Sequence, residues 1–167
     1  FNYAKKVGIT IFSSPFDNSA VNFLEDLNVP AYKIASPEII HLPLIKKVAS
    51  TGKPIIMSTG MASISEINEA VFTAREYGCE QLVLLKCTSS YPASPSDINL
   101  NTIPHMREMF DCEVGLSDHT TGIGVSVTAV ACGATVIEKH FTLSRDDGGV
   151  DSAFSLEPSE MKYLVQE

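Results

Sequence analysis

Short apolar runs alternate with amphipathic helical stretches along this chain, and that alternation narrows its fold more than any other feature. The runs are Gly8–Phe12, Ala31–Ala35, Pro54–Ser58, Leu82–Lys86, Glu113–Ser117 and Thr135–His140. Each is too short for a helix and most are rich in β-branched residues or Leu, which reads as buried strand. Helix patterns fill the gaps at about residues 18–28, 42–51, 63–77, 99–110 and 121–132, and a last one starts near 158. Ser63 with Glu66 three residues later has the form of a capping box, and Pro158 suits a first helical position. Gly52, Gly78 and Gly133 mark helix ends. Strands recurring at roughly 20 to 30 residues with a helix between them must run parallel, joined by right-handed crossovers.

Two α/β architectures answer to that pattern: an open doubly wound sheet and a (β/α)8 TIM barrel. The first would want a G-x-G-x-x-G after a strand when it binds a dinucleotide, and none is present. The second places its chemistry at the carboxyl ends of the strands. Here nearly every run ends in a polar cluster: Ser13-Ser14, Lys33 with Ser36, Ser58-Thr59, Lys86 with Thr88-Ser89, Ser117-Asp118-His119, and Glu138-Lys139-His140. The barrel is therefore the expected fold. Only six strand–helix units can be counted, against eight in a barrel of about 250 residues. The reading is an incomplete barrel, residues 1–167 forming a partial catalytic domain without the first two strands.

Composition sets the outer limits. With 167 residues and 44% hydrophobic content, the chain can bury one core. No apolar run approaches the ~20 residues of a membrane span, and the start, Phe1-Asn2-Tyr3-Ala4-Lys5-Lys6, is not that of a secretory signal. Twelve basic against 20 acidic residues give a formal charge of −8, which argues against a nucleic-acid partner. The four cysteines, at 79, 87, 112 and 132, show no zinc spacing. Cys87 and Cys132 read as small core residues of a protein from a reducing, cytoplasmic compartment.

Among the chemistry-bearing residues, His119 and His140 are the sharpest pair. Each closes a strand, and the two strands are consecutive, so parallel pairing makes the imidazoles neighbours able to share a divalent metal with positions left for substrate. Asp118 and Glu138 are placed to orient them. His41 and His105 read as solvent-facing. Lys33, Ser36, Ser58, Ser89 and Ser117 form a second set, one ammonium with four hydroxyls, suited to a phosphate or carboxylate. Lys86 at its strand end is a candidate Schiff-base lysine. Asp151, in the polar loop after the last strand, is a candidate substrate ligand.

Six motifs in order carry a family likeness. They are Phe12-Ser-Ser-Pro-Phe16, Tyr32-Lys-Ile-Ala-Ser36 with Glu38, Ile56-Met-Ser-Thr-Gly60, Lys86-Cys-Thr-Ser-Ser-Tyr-Pro92, Gly115-Leu-Ser-Asp-His-Thr120 and Ile137-Glu-Lys-His-Phe-Thr142. Through them the chain resembles the sialic acid synthase family from end to end. The stretch Gly148–Pro158 and the Lys86–Ser89 segment look closer to pseudaminic acid synthases than to N-acetylneuraminate synthases, which often carry Asn where Ser89 stands. The resemblance implies a (β/α)8 barrel followed by an antifreeze-like domain that this chain does not contain, in a homodimer. It also implies condensation of phosphoenolpyruvate with an open-chain N-acetylated amino sugar, giving a nine-carbon keto acid and phosphate.

Position by position, the resemblance makes His119 and His140 the metal ligands. Lys33, Ser36, Ser58, Ser89 and Ser117 fall at phosphoenolpyruvate-binding positions, and Glu38, Tyr91 and Asp151 at positions that hold the sugar. The implied metal is Mn²⁺, with Mg²⁺, Co²⁺ or Zn²⁺ compatible with the same donors. Three other readings stay open: N-acetylneuraminate synthesis from N-acetylmannosamine, a Schiff-base aldolase using Lys86, and a catalytically silent binding protein.

Overall fold

A computed structural model describes residues 1–167, which divide into two compact units, Phe1–Val83 and Leu84–Glu167. The chain is α/β, with parallel strands separated by helices.

In the first unit the order is α1 (Asn2–Val7), α2 (Asn18–Asp26), β1 (Tyr32–Ile34), α3 (Leu42–Ala49), β2 (Ile55–Ser58) and α4 (Ile64–Glu76). Asp17 caps α2 by accepting the Ala20 N–H at 2.8 Å. The capping box on α4 forms as the spacing predicts: Ser63 Oγ accepts from the Glu66 N–H and Glu66 Oε2 from the Ser63 N–H. β1 and β2 pair in parallel with Lys33 opposite Ile56 and Ile34 opposite Met57. Period-two alternation then sorts the side chains. Tyr32 turns toward α2, where its hydroxyl donates to Glu25 at 2.7 Å, while Lys33 turns to the other face with Ser58.

β3 (Leu82–Cys87) begins in the first unit and ends in the second. The second unit continues with α5 (Thr102–Phe110), β4 (Glu113–Asp118), α6 (Gly124–Ala131), β5 (Ile137–Lys139) and α7 (Pro158–Gln166). Here the strand order is β3-β4-β5, and β4 pairs with β5 in parallel, Ser117 opposite Glu138 and Asp118 opposite Lys139. Leu84, Leu85, Ile103, Val114 and Leu116 are fully buried, and α5 and α6 both pack on β4.

Two expectations change. The run at residues 8–12 is not a strand, so five strands replace six. Only Ser13 makes a parallel bridge, to Tyr32, with the Lys33 N–H donating to the Ser13 carbonyl at 3.2 Å. Ile9, Ile11 and Phe12 are exposed, so nothing apolar holds the run in a ladder. Among the cysteines, Cys79 is the buried one, while Cys87 and Cys132 are half-buried; all four are free thiols. No helix is long and apolar enough to cross a membrane.

One glycine sets the spacing of β4 and β5. A Cβ on Gly115 would collide with the Val136 carbonyl oxygen and lie 2.8 Å from Leu85 Cδ2. That carbonyl accepts the Leu116 N–H at 2.9 Å, so it cannot retreat without breaking the ladder. Gly115→Ala is expected to cost about 3 kcal/mol, the upper end for overpacking, read as a shift in a guanidinium unfolding curve. An unshifted midpoint would mean the two strands are not held this closely.

Candidate active site

The second unit brings the two histidines together. His119 follows β4 and His140 follows β5, one step beyond the register pair Asp118–Lys139, so parallel pairing sets them side by side. Their ring centroids are 5.2 Å apart. Tyr91 lies against His119 at 4.3 Å and Phe154 against His140 at 5.0 Å, which walls the pair with aromatic surface. His119 is buried and its Nδ1 stands 2.9 Å from the Thr88 carbonyl. A carbonyl only accepts, so Nδ1–H is the donor and Nε2 of the neutral ring carries the lone pair. Burial pulls the His119 pKa down, but the Cys87 side chain and the Thr88 carbonyl outweigh it, and the net shift is upward. His140 shifts downward, through burial first and then repulsion from His119, against the attraction of Asp151 and Glu138. Asp151 Oδ2 is 3.9 Å from His140 Nδ1.

Whether these donors fit a metal turns on the donor set. No third His, Cys, Asp or Glu stands with the two imidazoles in a group arranged to hold a metal ion. Two nitrogen donors suit a divalent ion whose remaining positions are taken by oxygens of water and substrate, as an open catalytic site requires. On those terms the residues fit.

Other second-unit residues fall less simply. Ser117 is buried and its hydroxyl donates to Glu138 Oε1 at 2.7 Å. Ser89 is half-buried, 4.0 Å from the Cys87 sulfur. Tyr91 is 53% exposed, and burial together with the negative charge of its neighbours raises its phenol pKa. Asp118 makes no direct hydrogen bond to a histidine ring: strand alternation turns it to the opposite face, where it pairs with Lys139 at 2.9 Å. Lys86 is likewise on the other face from the histidines. Leu85 faces Gly115, which shares its side of β4 with Ser117 and His119, so Cys87 and Ser89 share that side and Lys86 does not. Its ammonium donates to the Thr88 hydroxyl at 2.5 Å, and burial lowers its pKa. His105 is exposed as expected; Phe154, contributed by the loop before α7, carried no signal in the sequence.

The first unit holds the anion-suited set. Lys33 is buried, with its ammonium 2.7 Å from Ser58 Oγ and 3.3 Å from the Ile34 carbonyl. Ser36 Oγ accepts the Gly60 N–H at 3.1 Å. Two residues on, Glu38 Oε2 is buried without a hydrogen-bond partner. A carboxylate oxygen in that condition pays its desolvation uncompensated, and a hydroxyl or amide donor from a ligand would relieve it. His41 beside this turn is exposed.

The comparisons with known proteins bear on the chain as a whole. An N,N'-diacetyllegionaminic acid synthase of Campylobacter jejuni is 46% identical over 164 residues, covering 97% of this chain and 49% of the relative. A pseudaminic acid synthase of Helicobacter pylori is 44% identical over 166 residues, covering 99% and 49%. The crystal structure of the N-acetylneuraminic acid synthetase from Leptospira borgpetersenii, in complex with citrate, superposes with a TM-score of 0.95 at 38% identity, over 99% of this chain and 57% of that one. The chain thus spans about half the length of the curated relatives it matches. Legionaminic and pseudaminic acid synthases are similar to it to nearly the same degree, so likeness does not single out the pseudaminic branch. The model described as the NeuB family matches residues 1–167, end to end, and the chain belongs to that family.

Proposed function

We propose that the complete protein, folded as a (β/α)8 barrel, condenses phosphoenolpyruvate with an open-chain N-acetylated amino sugar, releasing phosphate and a nine-carbon keto acid. The pseudaminic acid precursor is the acceptor put forward. The observation that carries the reading is the histidine pair, with rings 5.2 Å apart and His119 Nδ1 committed to a backbone carbonyl.

In this account His119 and His140 hold a divalent ion, Mn²⁺ by preference, that when bound supplies Lewis acidity to the sugar aldehyde. Lys33 meets the phosphate as a buried ammonium, where a charge-assisted hydrogen bond is strongest. Ser36, Ser58, Ser89 and Ser117 add hydroxyls for the phosphate and carboxylate of phosphoenolpyruvate. Glu38 accepts from the sugar through its unpartnered Oε2, and Tyr91 and Asp151 orient the sugar from the side of His140. Held this way, the two substrates approach in near-attack geometry. C3 of phosphoenolpyruvate bonds to the aldehyde carbon, water adds at C2, and the C–O bond to phosphate breaks as the keto group forms.

The acceptor is tested by offering N-acetylmannosamine, 2,4-diacetamido-2,4,6-trideoxyaltrose and the sugar precursor of N,N'-diacetyllegionaminic acid in parallel, each with phosphoenolpyruvate and Mn²⁺. Phosphate release with the trideoxyaltrose alone supports the proposed acceptor. Release with another sugar moves the protein to that branch, and release with none contradicts the synthase reading. A Schiff-base aldolase predicts instead that borohydride traps a keto acid on Lys86. Because Lys86 faces away from the histidines, Lys86→Met is expected to leave turnover within about tenfold of wild type, the scale of roughly 1.4 kcal/mol. Abolished turnover together with borohydride trapping in wild type would favour the aldolase.

A further inference from the structure

Behind the two histidines, on the opposite face of β4 and β5, lies a closed set of polar bonds. Lys139 Nζ stands 2.9 Å from Asp118 Oδ2, with the two side chains 2% and 0% exposed. Ser126 Oγ, from α6, donates to the same oxygen at 2.6 Å. The other oxygen, Oδ1, accepts from the Thr120 N–H at 2.8 Å and from its hydroxyl at 2.7 Å. Lys139 also donates to the Thr120 carbonyl. Asp118 and Thr120 thus bracket His119, and Lys139 immediately precedes His140. On the facing side the Ser117 hydroxyl donates to Glu138, so each histidine's strand is tied to the other on both faces.

A buried ion pair is a poor way to gain stability, since a well-packed apolar pair of similar volume often does as well or better. What it adds is geometry: the ammonium and the carboxylate satisfy each other only in one register. We propose that Asp118 and Lys139 are positioning residues whose ion pair sets the separation of His119 and His140 and thereby the affinity of the site for a divalent ion. This rests on the reading of the histidines as metal ligands.

The test uses the complete protein, with Mn²⁺ affinity followed by the electron paramagnetic resonance signal of the free ion and stability followed by guanidinium unfolding. The variants are Asp118→Asn, Lys139→Met and the two combined. Each single change is expected to weaken Mn²⁺ binding about 10- to 100-fold, the range for residues supporting metal ligands. Each also leaves a buried charge uncompensated and lowers stability. The double change removes both charges, so stability should recover while Mn²⁺ binding stays weak. Recovery of affinity together with stability, or single variants that bind as wild type does, would overturn the proposal. Asp118→Glu keeps both charges, displaces the carboxylate by one methylene and covers the case in which the charge variants do not fold: unchanged affinity there would also overturn it. A wild-type protein whose Mn²⁺ binding is indifferent to His119→Ala contradicts the ligand reading itself, a result separable from the others.

Discussion

His119→Ala and His140→Ala should each lower turnover by about three orders of magnitude while leaving the fold intact. A bound ion polarising a carbonyl contributes several kcal/mol to the transition state, and each 1.36 kcal/mol is a factor of ten. Neither ring carries the core: His140 is half-exposed, and His119 meets its neighbours through the Thr88 carbonyl, the Cys87 side chain and ring contacts. The two variants should not behave identically. Replacing His119 removes one of the two donors to the Thr88 carbonyl, which keeps the Ser90 N–H, and loosens Tyr91, so a modest loss of stability accompanies the loss of activity. Replacing His140 removes the partner of Asp151 and should spare the fold more fully. Steady-state kinetics with saturating Mn²⁺, alongside the unfolding midpoint, reads both effects. Retained turnover in either variant would take the histidine pair out of the chemistry.

Lys33→Met is expected to reduce kcat/KM for phosphoenolpyruvate about 10- to 100-fold, with KM for the sugar little changed. Hydrogen bonds to charged groups contribute about 1.5–3 kcal/mol, and the Lys33 ammonium belongs to a buried residue and stands 2.7 Å from Ser58. Met preserves most of the stem's volume, so the packing around β1 should be kept. An equal loss against both substrates would point to a general structural role. An unchanged kcat/KM would remove Lys33 from the anion site.

What was legible in the sequence follows from which features are local. Lys33 and Ser58 in the first unit, and His119 and His140 in the second, each stand at the end of an apolar run, and parallel pairing within each unit sets such ends side by side. The capping box at Ser63 and the start of α7 at Pro158 are likewise short-range patterns, and both form. Faces are harder. Asp118 is adjacent to His119 in sequence, yet one residue along a strand is the opposite side of the sheet, so it serves the ion pair behind the site and not the ring beside it. Lys86 is displaced from the histidines by the same alternation. The run at 8–12 looks like its neighbours, but a strand needs a partner along its length, and only Ser13 has one. Phe154 reaches His140 from a loop, and no periodicity announces that.

The most direct measurement follows the bridging oxygen of phosphoenolpyruvate. The complete protein would be given substrate labelled with ¹⁸O between C2 and phosphorus, Mn²⁺ and the acceptor that turns over, with and without a chelator. The account predicts that the label leaves in inorganic phosphate, one phosphate per keto acid, and that both products vanish when the ion is removed. Label kept in the keto acid, or product formed at an undiminished rate with the chelator present, would contradict it.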